Sequence, residues 1–271
     1  MFKRKVKIFR IRKDRKDEID DIVLYETPID IFVNSKALVN IICLAQDLKE
    51  LAIGFLFSIG VIDSFKDIKE INTGELENSI IVELKDKKSF DIETFNINPV
   101  SRVVDTTCGI SSPWRNVIKE SLENAKVKKA IEAKKDLKVR TSTIFSAIKD
   151  MQVNTPLFRE TGGCHGAAIF DLNGNLMGVK EDIGRHNAID KVIGEMLLNN
   201  LNFESAFLTS TGRLTGDSVL KAIRAKIPIV ASLSAAIESG IRLAFAYGIT
   251  LIGFARGSRM NIYSHPNRIE L

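Results

Sequence analysis

The sequence predicts an α/β protein in which a C-terminal three-layer α/β/α domain follows a smaller N-terminal α+β domain. Three observations predict it. The chain has 271 residues, 45% of them hydrophobic and 27% charged, enough for one large or two modest domains with a real core. Its second half alternates strands and helices in the order β-α-β-α-β, the pattern of a largely parallel sheet covered on both faces. Its first half instead shows short strands interrupted by one apolar helix, and a charged connector separates the two.

From the N-terminus, "KVKIFRIRK" alternates basic and apolar residues, as suits a half-buried edge strand guarded by charge. Strands follow at "IVLY", "IDIFVN", "SIIVELK" and "SFDIETF". The helix "AQDLKELAIGFLFSIGVI" interrupts them, with Leu48, Leu51, Phe55 and Ile59 at helical spacing. Next comes a Gly-, Ser- and Pro-containing loop around Cys108, "VVDTTCGISSPW". The connector "KESLENAKVKKAIEAKKDLKVR" favours helix but has few apolar positions. The boundary is placed within it, giving domains 1–135 and 136–271. Beyond it, "GAAIFDLNGNLMGVKEDI" reads as two strands about an Asn-Gly turn. Then come a helix ("RHNAIDKVIGEMLLN"), a strand ("SAFLTS"), a helix ("TGDSVLKAIRA") and a strand ("IPIVAS"). A last helix ("SAAIESGIRLAFAYG") leads to a buried strand ("ITLIGFA").

Composition narrows the function classes. No apolar run approaches the roughly 18 residues of a membrane span, and the basic N-terminus lacks the apolar stretch of a secretory signal, so a cytoplasmic protein with no membrane partner is expected. The net charge of +5 is uneven: residues 1–16 hold nine Lys or Arg and one Asp, which leaves −3 on the remainder. The basicity belongs to a terminal segment, so a nucleic-acid partner is not expected. Cys43, Cys108 and Cys164 form no C-x-x-C pair, which supports neither a disulfide framework nor a zinc knuckle. Cys43, within "VNIICLA", reads as core.

Candidate chemistry gathers where strands end. In open α/β sheets ligands bind beyond the carboxyl ends of the strands. Three consecutive strands run into Ser210-Thr211-Gly212-Arg213, into Ser232-Leu233-Ser234, and into Phe254-Ala255-Arg256-Gly257-Ser258-Arg259. Glycines allow close backbone approach, hydroxyls and amides donate hydrogen bonds, and guanidiniums fork onto phosphates. Arg213, Arg256 and Arg259 together point to an anionic, nucleotide-like ligand, without a P-loop or G-x-G-x-x-G fingerprint. "ETGGCHGAAIF" adds Gly162, Gly163, Cys164 and His165, and "KEDIGRHNAIDK" adds Glu181, Asp182, Arg185, His186 and Asn187. A zinc deaminase needs H-x-E followed by P-C-x-x-C. Here Gly166 and Ala167 follow His165 and no second cysteine pair exists, so no metal ligands and no catalytic zinc are expected.

Eight segments in order, "ETPIDIFVN", "DLKELAIGFLFSIGVI", "TCGIS", "TGGCHGAAIFD", "EDIGRHNAIDKVIG", "STGR", "KIPIVASLSA" and "GITLIGFARGSRMNIYSHPNRI", make the chain resemble the formate dehydrogenase accessory sulfurtransferases, the FdhD family, over nearly its whole length. The resemblance implies that the second domain is cytidine-deaminase-like but without zinc chemistry. It implies a sulfurtransferase that accepts persulfide sulfur from a cysteine desulfurase and passes it to the molybdenum bis(molybdopterin guanine dinucleotide) cofactor of formate dehydrogenase. That cofactor would be a bound substrate, and a homodimer is the implied assembly. By position, Cys108 matches the persulfide-forming cysteine and Phe254 to Arg259 the cofactor-binding segment. Persulfide transfer needs an exposed thiolate that meets two partners in turn. Family members often carry a second cysteine three residues after the first, where this chain has Ser111. Cys164, beside the conjectured ligand site, is the candidate replacement. The competing class is a non-catalytic chaperone that binds and delivers the guanine-dinucleotide cofactor.

Overall fold

A computed structural model describes residues 2–73, 78–85, 103–104, 126–132, 134 and 136–271. The "SFDIETF" strand, the loop with Cys108 and Ser111, and the start of the charged connector lie outside the described residues. The basic segment is one arm of an antiparallel hairpin, β1 (Lys3–Arg12) on β2 (Arg15–Leu24). Its cations face an acidic neighbour strand, with Lys7 3.5 Å from Glu18 and Arg10 3.6 Å from Asp21. Next come β3 (Thr27–Val33), β4 (Lys36–Cys43), α1 (Leu48–Ser58), β5 (Ile68–Thr73), β6 (Ser79–Leu84) and β7 (Val103–Val104). The strands other than the hairpin form a five-stranded sheet in the order β5-β6-β3-β4-β7. Every residue of α1 from Leu51 to Ser58 is buried. An isolated surface helix cannot be apolar all round, and this one is covered on two sides.

The second half begins after α2 (Lys126–Glu132) with β8 (Val139–Arg140), α3 (Thr141–Val153) and α4 (Pro156–Thr161). It continues through β9 (His165–Asp171), β10 (Leu176–Asp182), α5 (Arg185–Leu198), β11 (Ala206–Ser210), α6 (Gly216–Arg224), β12 (Ile229–Ser232), α7 (Glu238–Tyr247), β13 (Thr250–Arg256) and β14 (Arg259–Ser264). A final strand, β15 (Ile269–Glu270), pairs with β8. Six strands form the main sheet, ordered β10-β9-β11-β12-β13-β14. Side chains alternate across it as strand geometry requires. Ala167, Ile169, Leu208, Val230 and Leu251 pack with buried residues of α5, α6 and α7, whereas Ala168, Phe170, Phe207, Ile229 and Ile252 pack with α3. The result is helix, sheet, helix, the three layers expected.

The sheet is mixed, which corrects the expectation of a largely parallel one. Only β11–β12 and β12–β13 are parallel; the β10–β9, β9–β11 and β13–β14 pairings are antiparallel. Two tight turns produce the β9–β10 and β13–β14 pairings. At Asn173-Gly174 the glycine has φ +89°, and Asp171 Oδ1 accepts the backbone N–H groups of Asn173 at 2.9 Å and Asn175 at 2.8 Å. At Gly257-Ser258 the glycine has φ +63° and β14 turns back along β13. Among the described residues, no helix is long and apolar enough to cross a membrane.

The two halves meet along α1 and α5. Their backbones approach so closely that a Cβ at Gly54 would collide with the Asp190 carbonyl, and one at Gly194 with the Glu50 carbonyl. Two buried ion pairs flank this crossing. Lys221 Nζ lies 2.7 and 2.6 Å from the carboxylate oxygens of Asp190, which also accepts the Ser58 hydroxyl at 2.6 Å. Lys191 Nζ lies 2.7 Å from Asp182 and donates to the Leu44 carbonyl at 2.9 Å. One hydrophobic cluster then runs from Ile29 and Ile31 through Phe55 to Ile193 and Leu251, across the boundary placed by sequence.

Candidate functional site

Parallel strands deliver their carboxyl ends to one edge, and β11, β12 and β13 do so here. Because β9 runs antiparallel to β11, its first residues join that edge: Ser210 is in register with Ala167, and Asp182 at the end of β10 with His165. Segments far apart in sequence thus converge, as the strand-end pattern predicts. The edge is tightly stitched. The Ser232 hydroxyl lies 2.9 Å from the Ser210 carbonyl and 2.6 Å from that of Gly212, while Gly212 N–H donates to the Ser210 hydroxyl at 3.1 Å. Ser234 N–H donates to the Ser232 hydroxyl at 3.0 Å, and Phe254 N–H to the Ser234 carbonyl at 2.9 Å.

Phe254 has φ +51°, the left-handed region that bulky residues rarely enter. It sits in the bulge between Gly253 and Arg256 and lines a cavity of about 710 Å³. Arg256 lies over that ring, its guanidinium carbon 5.4 Å from the centroid. The cavity has the size of a small-molecule site. Its sheet side is formed by Thr211, Leu233, Ser234, Phe254, Arg256 and Gly257. Its other wall is the flank of α3, with Phe145, Ser146, Lys149 and Gln152, closed by Phe158 of α4. Sequence reasoning missed this wall. The signal that could have found it is the helical spacing of Ile144, Ile148 and Met151, whose ridge packs on the sheet while the helix flank lines the cavity.

The other nominated residues divide by position. Gly162, with φ +63°, ends α4, and Gly163 follows it on the surface. His165 is half-buried beside Thr211, its Nδ1 3.1 Å from the hydroxyl. Burial first, then the cations of Arg185 and Arg213 against the opposing carboxylate of Asp182, hold its pKa below the ordinary histidine value. Gly212 is required here, because a Cβ would press on the Arg185 side chain at 2.7 Å. Ser258 and Arg259 occupy the exposed turn beside Gly257. Ala255, Ser210, Asp182 and His186 lie beneath the edge rather than on it. Asp182 is fully buried, and its carboxylate accepts N–H groups of Gly184 at 2.7 Å, Asn187 at 3.0 Å and Leu44 at 3.0 Å, which ties the site to the end of β4.

The two described cysteines are poorly placed for sulfur chemistry. Cys43 is fully buried in the core, as its apolar surroundings predict, and burial together with the Asp182 carboxylate pushes its pKa up to about 12. Cys164 is 3% exposed, among Leu44, Leu157 and Phe158. Burial and the neighbouring Glu181 carboxylate, 3.8 Å from the thiol, push it up to about 12 as well. Cys164 therefore lacks the thiolate a replacement carrier needs. Neither thiol is expected to react with iodoacetamide in the native protein at pH 7.5, whereas both should react after unfolding. Peptide mass spectrometry checks this, and native labelling of Cys164 would contradict it.

The model of the FdhD/NarQ family matches residues 24–270. The chain is 37% identical over 270 residues to the sulfur carrier protein FdhD of Sulfolobus acidocaldarius, covering 99% of each chain. It is 32% identical over 263 residues to that of Bacillus subtilis, covering 97% of this chain and 96% of the relative. The crystal structure of a formate dehydrogenase accessory protein from Desulfotalea psychrophila is similar throughout, with TM-score 0.75, 29% identity and full coverage of both chains.

Proposed function

The chain belongs to the FdhD/NarQ family, and from that premise we propose that it is a sulfur carrier acting in the maturation of formate dehydrogenase. In this reading Cys108 takes sulfur from a cysteine desulfurase and hands it to a molybdenum bis(molybdopterin guanine dinucleotide) substrate held at the strand ends. The observation that carries the ligand half of the reading is the cavity. Three phenylalanines line it, together with Arg256, Lys149, Thr211 and Ser234. Aromatic rings accept the flat faces of a nucleobase or pterin, and guanidinium and ammonium groups pair with its phosphates. Arg185 and Arg213 add positive charge beside His165 at the same edge. The likeness to cytidine deaminases is part of the proposal at the level of fold, supported by the three layers and the ligand edge; the chemistry is not carried over.

The carrier half rests on Cys108 by elimination and by motif, since Cys43 and Cys164 are buried and hard to ionise. The Cys108 thiolate attacks the outer sulfur of the donor's persulfide; the new S–S bond makes Cys108 a persulfide and the donor cysteine leaves as a thiolate. One observation favours the chaperone alternative: Ser111 stands where relatives often place a second thiol. The Cys108→Ser variant separates the two readings. A sulfur carrier loses the one-sulfur mass gain after incubation with desulfurase and cysteine, and loses formate dehydrogenase activation, while still binding guanine nucleotide. A chaperone keeps activation, and that result would overturn the carrier reading.

We further propose that the protein acts in the cytoplasm and works as a homodimer. Size-exclusion chromatography with light scattering tests the second.

A further inference from the structure

We propose that His165 and Thr211 form a proton-coupled donor switch, in which binding of a phosphate-bearing anion is accompanied by proton uptake on His165 and rotation of the Thr211 hydroxyl so that it donates to the ligand. The inference rests on the anion site proposed above and concerns how that site is tuned.

Three hydrogen bonds set the switch. Thr211 N–H donates to the Gly166 carbonyl at 3.0 Å, and Gly166 N–H donates back to Thr211 Oγ1 at 3.1 Å. This reciprocal pair fixes the hydroxyl oxygen and leaves it one proton to place. Gly166 itself is locked, since a Cβ there would collide with Thr155. His165 Nδ1 lies 3.1 Å from the same oxygen. In the resting state of this switch the neutral ring carries its hydrogen on Nε2, so that Nδ1 accepts the hydroxyl proton. Among the described residues Nε2 has no hydrogen-bond partner. When the ring is charged, Nδ1 must donate, and the hydroxyl proton has to turn away. Thr211 lines the cavity, so a ligand filling it can accept the freed proton.

The charged groups facing His165 explain why an anion throws the switch. Arg185 at the start of α5 and Arg213 after β11 disfavour the imidazolium, and among the described residues Asp182 at the end of β10 opposes them. Glu181, the next carboxylate, is engaged by the N–H groups of Leu157 at 3.2 Å and Phe158 at 2.7 Å. An anion that accepts the Thr211 hydroxyl lies beside His165, and its charge opposes the repulsion of Arg185 and Arg213, so the ligand raises the pKa that the empty site holds down. Proton uptake then accompanies binding in the window that starts at the lowered empty-site value and extends upward to the bound value. Across this window affinity falls as pH rises, by up to about tenfold per pH unit for one linked proton.

Calorimetric titration of the full chain with inorganic pyrophosphate, and separately with GDP, tests this in two buffers of different ionisation enthalpy between pH 5.5 and 7.5. The expected result is net proton uptake by wild type and by Thr211→Ser, and its loss in His165→Asn, which stays charge-neutral. Thr211→Val is expected to keep the uptake but bind more weakly, because the donor is gone. Binding without proton uptake, or equal uptake by His165→Asn, would overturn the switch while leaving the anion site intact. No binding of either probe would overturn the anion site, and the switch with it.

Discussion

Gly54→Ala is expected to destabilise the protein by about 3 kcal/mol or more, at the upper end of overpacking effects. The added methyl has nowhere to go, because the atom it meets is the backbone carbonyl of Asp190, not the end of a movable side chain. Relief requires α5 to retreat from α1, which strips contacts along the whole crossing. Gly194→Ala meets the Glu50 carbonyl from the other side and should behave alike. Gly163→Ala is the control: its Cβ would sit 3.4 Å from the Thr161 hydroxyl, an ordinary contact, and stability should change by less than about 0.5 kcal/mol. Urea unfolding monitored by circular dichroism measures all three. A Gly54→Ala midpoint equal to wild type would mean that the two helices do not cross as described.

Removing Asp190 should cost nearly as much for an electrostatic reason. Asp190→Ala leaves the Lys221 ammonium, 1% exposed, without its carboxylate, and breaking one partner out of a buried pair typically costs about 3–5 kcal/mol. That is a large part of the roughly 5–15 kcal/mol by which such proteins are stable. The double variant Asp190→Leu with Lys221→Met removes both charges and keeps the volume filled. It should recover most of the loss, since the pair must offset its own desolvation. If the double variant is as unstable as the single one, the pair contributes packing rather than charge compensation. Ser58, whose hydroxyl donates to Asp190 at 2.6 Å, predicts a smaller loss for Ser58→Ala.

Local signals carried much of the architecture. The Asn173-Gly174 turn, the α5 pattern beginning at Arg185 and the strands around Phe207 and Ile252 were legible because each is a run of one periodicity bounded by turn residues. The convergence of Arg213, Ser234 and Arg256 was legible too, since parallel strands send their ends to one edge. What escaped reading has common causes. α3 opens with Thr141, Ser142 and Thr143, poor helix formers next to a charged connector, so its apolar spacing was masked. β14 follows a glycine turn that reads equally well as a ligand loop, and here it serves as both turn and cavity rim. The His165–Thr211 contact spans 46 positions and depends on β9 running antiparallel to β11, a pairing that no local pattern encodes. Asp182 and His186 looked like ligand groups because they are polar beside glycine, yet both are buried, Asp182 against Lys191 at 2.7 Å and His186 beside the Ser218 hydroxyl at 3.4 Å.

The docking of α1 against α5 also has a consequence for how the chain is made. Ser58 and its partner Asp190 are 132 positions apart, so α1 leaves the ribosome long before the surface it must cover exists. At about 5–20 residues per second, the wait is on the order of 10 s. Throughout that interval Phe55, Leu56 and Phe57 have at most the first sheet to lie against, a sticky helix in a crowded cell. Newly made chains should therefore be frequent clients of holding chaperones, and yield in a heterologous host should depend on translation speed through the segment between the two helices.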